Sequence, residues 1–528
     1  MVRTDSARAS RPDQPAGTGQ LAEIVTAVVL AADLALGQPF DHALRSAAIA
    51  MRFADSLDLS PDERRTTYWV TLFVGAGCTA GSFELAQIFG DDIALRAEAY
   101  ETGPSPIDQL RYLLSRAGAD QPALRRTLTR AHLLITRMRP LQAAIHAHCA
   151  VSACLAGQAG LGPAVTSAVT QCYAYWNGQG FPSGLKHAAI PLSARICAIA
   201  DTAEVIQRQR GLDAAIADAR AKSGTVLDPV LVERWCAVAG DVFASFEGGG
   251  SWDAILRAQL DRPLAPAELD NGLALLGDYA DLKSPWFIGH SRGVAALAEA
   301  AANEVGLPER DVTTLRRAAL VHELGRHGVP NNVWDKAGPL TDAERERVRL
   351  APYFTDRILR RSGSLANLAA VASAANERID GSGYPRAIAG ETIPYLGRIL
   401  GCADAYHAMR EVRPHRAALP KDDASRVLRQ AARDGRLDGS AVDAVLSAAG
   451  HSVGQHPSAP GDLTPREIEV LELAARGVAT KEIASRLGIA RKTAGNHIER
   501  IYEKIGVSTR AEAALWAMRN GLVRVLEN

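Results

Sequence analysis

Ile379-Asp-Gly-Ser-Gly-Tyr-Pro385 repeats an earlier stretch of the same chain, Trp176-Asn-Gly-Gln-Gly-Phe-Pro182, at an offset of 203 residues. The same offset carries Ile190-Pro191 onto Ile393-Pro394, and Arg195-Ile196 with Ala200-Asp201 onto Arg398-Ile399 with Ala403-Asp404. Over 172–201 against 375–404, nine of 30 positions are identical; ordinary composition gives roughly two by chance. Nearer the N-terminus an offset of 248 places Asp33-Leu34 on Asp281-Leu282 and His42 on His290. The difference of 45 means that the first copy holds extra residues between about 79 and 147. The chain therefore contains two copies of one domain.

Both copies read as helical. Apolar residues recur at helical spacing, as in Val294, Leu297, Ala298, Ala301 and Val305. Gly/Pro/Ser clusters near 246–251 and 450–462 read as linkers. The expected organisation is a polar tail (1–20), copy one (21–245), a linker (246–263), copy two (264–450), a linker (451–462) and a third module (463–528). Among 528 residues there are 59 basic and 59 acidic side chains, so the net charge is zero and gives no global sign of a nucleic-acid partner. The longest apolar run, Ile24–Leu36, is too short to span a bilayer and is broken by Asp33. Seven cysteines without regular spacing do not form a disulfide framework. The expectation is a cytoplasmic protein without a membrane segment. Cys149, Cys154, Cys172 and Cys197 lack zinc-type pairing and are read as buried, inert thiols.

The chemistry-bearing residues of copy two are His290, His322-Glu323 and Asp404, drawn from separate helices. Imidazoles and carboxylates gathered in this way suit a divalent metal inside a helical bundle, although a histidine on a helix is by itself weak evidence. Three stretches sharpen the reading: Val321-His-Glu-Leu-Gly-Arg-His-Gly-Val-Pro330, Glu377-Arg-Ile-Asp-Gly-Ser-Gly-Tyr-Pro385, and Arg398-Ile-Leu400 through Ala403-Asp404, Ala408-Met409, Arg413-Pro414 and Arg416. Together they resemble the HD-GYP family, all-helical metal phosphodiesterases, many of which hydrolyse cyclic di-GMP. The resemblance covers all of copy two and, more weakly, copy one. It implies one divalent metal (Mn, Fe or Mg) on His290, His322, Glu323 and Asp404, a ligand loop of Gly383, Tyr384 and Pro385 with Arg413 and Arg416, and a nucleotide effector.

The departures matter as much. The family's His-Asp is His322-Glu323, its following Lys is Arg326, its His-Pro is Ala351-Pro352, and its paired histidines are Ala375-Asn376. Three imidazoles are absent, so a second metal loses most of its ligands. Glu is one methylene longer than Asp, enough to displace a carboxylate beyond the roughly 0.5 Å tolerance of a catalytic site. The expectation is a single-metal site with impaired turnover. Copy one is emptier. It keeps His42, His148 and Asp201, but has Val74-Gly75 for the His-Asp pair and Cys172-Tyr173 for the paired histidines. Its fold serves packing or ligand sensing.

From Leu463 the texture changes. Leu463-Thr-Pro-Arg-Glu-Ile-Glu-Val-Leu-Glu-Leu-Ala-Ala-Arg-Gly477 opens with Thr464 as N-cap, Pro465 at the first helical position and Glu467 completing a capping box. A second helix starts at Thr480 and closes at Gly488, and a third covers about 491–505. That third helix puts Ala494, Ile498, Ile501 and Ile505 on one face and Lys492, Asn496 and Arg500 on the other. Thr509-Arg-Ala-Glu512 caps a fourth. Helix-turn-helix logic fits this pattern; so does a four-helix protein-interaction module. The residues Leu463-Thr-Pro-Arg-Glu467, Lys481-Glu-Ile-Ala484, Lys492-Thr493, His497-Ile498 and Ile501-Tyr-Glu-Lys-Ile-Gly-Val507 closely resemble the LuxR-type DNA-binding domain, with Ala490 where the recognition helix usually has a Ser cap. That resemblance implies that Lys481, Lys492, Thr493, Asn496, His497 and Arg500 face double-stranded promoter DNA. It also implies a homodimer through the fourth helix (Ala511, Ala514, Leu515, Met518). The segment 463–528 has 11 basic and 8 acidic side chains, a net +3 hidden in the neutral total.

The expected fold is all-α: two repeated HD-type bundles and a four-helix LuxR-type domain. The expected function is transcription regulation through a sensory or dimerising body. The alternative is an HD-type phosphohydrolase fused to a DNA-binding domain.

Overall fold

The computed structural model describes residues 21–103, 105–136, 138–181, 184–246, 263–452, 463–476, 478–507, 509–519 and 522. The tail 1–20, Pro182 of the first Gly-Phe-Pro loop, most of both linkers and Gly477 lie outside the described residues. The chain divides into two compact units, Met1–His451 and Ser452–Asn528. Both are helical. Among the described residues β structure is limited to isolated bridge positions, including the pairs Ser223 with Leu227 and Arg413 with Arg416. No described helix is long and apolar enough to cross a membrane.

Inside the first unit, hydrogen bonds recur at the offsets read from the sequence. Asp33 accepts from the Ala43 amide at 3.1 Å, and Asp281 accepts from the Ser291 amide at 3.0 Å, each ten residues ahead. The Phe181 amide donates to the Tyr173 carbonyl and the Tyr384 amide to the Asn376 carbonyl. The guanidinium of Arg195 spans the Ile190 carbonyl and Asp228; that of Arg398 spans the Ile393 carbonyl and Asp438, an acid that lies 210 rather than 203 residues on. The loop glycines have a steric reason. A Cβ on Gly180 would stand 2.2 Å from the Tyr173 carbonyl oxygen, and one on Gly383 would stand 2.3 Å from the Arg378 nitrogen.

The two halves share a buried seam. The helix Leu21–Ala35 is apolar on nearly every side and is buried accordingly. It lies against the helix Pro266–Asp281, where Gly272 admits Ile24. Asp33, which interrupts this apolar run, is fully buried, and burial raises its carboxyl to about 7. The extra residues of the first half include the helices Ser82–Phe89, Asp92–Ala99, Pro106–Arg116 and Ala123–Ile135, and the first two of these reach the other side of the seam. There Asp92 accepts from the Lys283 ammonium at 3.1 Å, from Arg96 at 2.7 Å and from the Asn331 amide at 2.8 Å. Of the helical stripe at Val294, the residues Val294, Ala298 and Ala301 are buried, whereas Val305 lies beyond the helix end and is exposed. All seven cysteines are free; Cys149, Cys172 and Cys197 are buried and Cys154 is exposed.

The second unit packs four helices around Val470, Leu471, Ile483, Ala494, Ile501 and Ala517. Thr464 and Glu467 form the expected reciprocal cap. The second helix is Thr480–Arg486 and the third Arg491–Ile505, which ends at Gly506 with φ +67°. Thr509 and Glu512 cap the fourth, Arg510–Arg519.

Candidate functional site

His290 opens the helix His290–Glu304, His322 and Glu323 follow directly on the helix Glu309–Val321, and Asp404 sits inside the helix Tyr395–Met409. One donor atom from each of these four residues lies within 4.8 Å of the others. Asp404 Oδ1 stands 3.2 Å from His290 Nε2 and 3.8 Å from His322 Nε2. Both Nε2 atoms are buried without a hydrogen-bond partner of acceptable geometry. Their opposite nitrogens are engaged. His322 Nδ1 lies 2.7 Å from the Ala319 carbonyl, which can only accept, so Nδ1 carries the proton and Nε2 presents its lone pair. His290 Nδ1 lies 2.9 Å from Glu411 Oε2. Orientation by a carbonyl and by a carboxylate is the usual preparation of metal-ligating imidazoles. The donor set fits one divalent cation. Burial alone would lower the basicity of His290; the adjacent carboxylates of Asp404 and Glu411 outweigh it and raise the group to about 9, so the site favours positive charge at this point.

Glu411 was not visible as a site residue in the sequence. The repeat points four residues short of it. At the offset of 203, Glu204 of the first half falls on His407, and Arg208 on Glu411. Glu204 holds His42 Nδ1 at 2.6 Å; in the second half the carboxylate doing the same task comes from four residues further along, just past the end of the helix. His290, His407 and Glu411 form a second convergent group.

Arg326 complicates the site. Its Nη2 lies 2.7 Å from Glu323 Oε1, and its guanidinium stacks 3.7 Å from the centre of the Phe287 ring. A fixed cation therefore already engages one of the four donors. Ala351 and Ala375, where imidazoles are missing, are buried. The Tyr384 phenol is pushed up to about 12 by burial and by the carboxylates of Glu323 and Asp404. Arg413 is buried, donates to the Trp286 carbonyl at 2.7 Å and pairs with Glu411. Arg416 is different: its guanidinium is spent on the Ala408, Met409 and Glu411 carbonyls, closing the end of the Asp404 helix.

In the first half, both ring nitrogens of His42 are taken up by carboxylates, Asp201 at 3.1 Å and Glu204 at 2.6 Å. The Tyr100 hydroxyl donates to the other oxygen of Asp201 at 3.0 Å. His148 turns to the Val74 carbonyl at 2.6 Å. Among the described residues no metal-type group converges there.

In the second unit, Lys481, Lys492, Thr493, Asn496 and Arg500 are exposed and His497 is partly so. Among the described residues none of the six forms an ion pair or a side-chain hydrogen bond. Lys504, by contrast, is committed to Glu467 at 2.7 Å. The side chains of Ala511, Leu515 and Met518, expected on a dimer surface, lie outside the described residues.

The HD domain family matches residues 140–231 and 274–441. The chain is 32% identical over 421 residues to 3′3′-cGAMP-specific phosphodiesterase 3 of Vibrio cholerae serotype O1, covering 78% of this chain and 91% of that protein. The chain belongs to the HD-domain family. This HD protein is also 36% identical over 156 residues to a cyclic di-GMP phosphodiesterase of Thermotoga maritima, covering 29% of the chain and 42% of that protein. The crystal structure of a cyclic GMP-AMP-specific phosphodiesterase of V. cholerae (V-cGAP3) superposes with a TM-score of 0.57 at 26% identity, covering 83% of this chain and 99% of the other. Residues 462–517 match the family described as bacterial regulatory proteins, luxR family. An HD protein homologous to HD-GYP-type phosphodiesterases thus carries a LuxR-type helix-turn-helix domain.

Proposed function

We propose that this protein is a DNA-binding transcription regulator whose HD body binds a cyclic dinucleotide around one divalent metal and has lost efficient turnover. The observation that carries the first part is the row of exposed, unpaired Lys, Asn and Arg side chains on the Arg491–Ile505 helix of a LuxR-type domain. Arg and Lys suit phosphates and guanine, and Asn suits adenine. Two copies in a homodimer would present two such helices to a two-fold promoter site. The similarity to 3′3′-cGAMP and cyclic di-GMP phosphodiesterases names the effector class.

In a mobility-shift assay Arg500→Ala is expected to weaken DNA binding by about 1–3 kcal/mol, roughly 5- to 150-fold. 3′3′-cGAMP or cyclic di-GMP is expected to change the wild-type shift. Unchanged affinity in Arg500→Ala would remove the recognition-helix assignment.

The metal reading rests on the convergence of His290, His322, Glu323 and Asp404 and on the two unpartnered Nε2 atoms. A metal held there would supply charge neutralisation to a bound phosphodiester. Arg326 would hold Glu323, and Tyr384 and Arg413 would border the ligand. Glu411→Gln keeps the size of the side chain but removes the charge that orients His290. It is expected to weaken Mn²⁺ binding about 10- to 100-fold by calorimetry; no change would reduce Glu411 to a packing role.

The second reading, an active phosphodiesterase under DNA control, is favoured by the same four donors. Against it stand Ala351, Ala375 and Asn376 in place of imidazoles, and Arg326 on Glu323. Turnover of a cyclic dinucleotide with Mn²⁺ or Fe²⁺ that is lost in His322→Ala would establish it.

A further inference from the structure

The first half contains a cavity of about 400 Å³ that its side chains do not fill. Protein interiors pack at crystal density, and voids larger than a water molecule are few. A cavity in this size range is the volume of a small-molecule site. It occupies the place that corresponds to the metal centre of the second half: Asp201, the counterpart of Asp404, is in its wall, as are His148 and Tyr173. Much of the remaining wall comes from the residues that the second half lacks, among them Leu85, Leu95, Tyr100, Tyr112, Leu113 and Ile145. The insertion has thus converted a metal-type cleft into an aromatic and aliphatic chamber.

The polar groups of the wall define what it can hold. Asp201 is committed to His42 and Tyr100. The two cations of the lining are each paired with an acid, Arg96 with Asp92 at 2.7 Å and Lys222 with Asp218 at 2.8 Å. Neither is left over for a phosphate. Thr102, Gln109, Tyr175 and Thr202 add neutral polar groups to the wall, and a further donor remains at its His148 end. His148 Nε2 lies 2.6 Å from the Val74 carbonyl, so the hydrogen sits on Nε2. The Tyr173 oxygen, 3.2 Å from the same nitrogen, can then only accept from it, which leaves the Tyr173 hydroxyl hydrogen uncommitted. Burial keeps His148 in its neutral form, lowered to about 4, in line with this arrangement.

We infer that the first half binds an uncharged, predominantly apolar small molecule bearing an acceptor oxygen, such as a carbonyl, which receives the Tyr173 hydroxyl. This site is separate from the cyclic-dinucleotide reading of the second half and does not depend on it. A dianionic dinucleotide finds no free cation in the chamber.

The test uses full-length protein and prodan, a neutral naphthyl ketone whose fluorescence reports an apolar, hydrogen-bonded setting. One saturable equivalent per chain with a blue-shifted emission is expected. Ala99, the exposed member of the lining, stands at the mouth. Ala99→Trp is expected to weaken binding at least tenfold. Tyr173→Phe is expected to weaken prodan about five- to tenfold while leaving 2-dimethylaminonaphthalene, which lacks the carbonyl, unaffected. Far-UV circular dichroism checks that both variants fold. Absence of saturable binding, wild-type affinity in either variant, or displacement of prodan by 3′3′-cGAMP would overturn the inference.

Discussion

Asp92→Ala is expected to destabilise the first unit by about 3–5 kcal/mol, read as a lowered urea midpoint of the full-length protein. Asp92 and Lys283 are both fully buried, on opposite sides of the seam between the halves. Burial alone would raise the Asp92 carboxyl; Lys283 and Arg96 outweigh it and hold the group down at about 2. Removing the carboxylate leaves the Lys283 ammonium in an apolar seam without its counter-charge, and the Asn331 amide without its acceptor. The mirror experiment costs less. In Lys283→Met, Asp92 keeps Arg96 and the Asn331 amide, and an apolar chain of similar length fills the space, so about 1 kcal/mol or less is expected. Equal losses in the two variants would contradict this account. The pH dependence follows from the sign of the shift. A carboxyl depressed in the folded state contributes stability above its ordinary value of 3.8, and that contribution disappears as pH falls from there towards 2. The wild type is therefore expected to lose stability over this interval more steeply than Asp92→Ala.

His322→Ala is expected to abolish stoichiometric metal in protein purified without chelator, lowering Mn²⁺ affinity by about 100-fold or more, since loss of even an outer partner costs 10- to 100-fold. His322 is chosen because its Nδ1 is fixed by the Ala319 carbonyl, so its lone pair has one direction available. Asp404→Asn should behave alike, because Asp404 lies between the two imidazoles. The informative companion is the double change Glu323→Asp with Arg326→Lys, which shortens the carboxylate and withdraws the guanidinium that now engages it at 2.7 Å. A rise in cyclic-dinucleotide hydrolysis in that variant would locate the impairment at these two positions. Metal content unchanged in His322→Ala would refute the four-donor site.

Much of this architecture is written locally in the chain. Capping boxes at Thr464 and Thr509, the apolar faces of the last four helices and the turn at Gly506 each depend on residues within a few positions of one another. Helix bounds in the second unit were legible for that reason. The repeat was legible because one half of the chain can be laid on the other, and the set His290, His322, Glu323 and Asp404 because the stretches that carry it resemble a known family. Three features required the tertiary structure. Glu411 serves His290 across 121 residues, where the repeat pointed to position 407. Asp92 meets Lys283 across 191 residues. Tyr100 reaches Asp201 across 101 residues and, with Tyr173, turns a metal-type cleft into a chamber. Helix periodicity and caps act over one or two turns, so sequence by itself determined which segments become helices and which residues are chemically able to bind. Pairing of buried charges and the shape of a cavity depend on which helix faces pack together, and no local pattern encodes that distance.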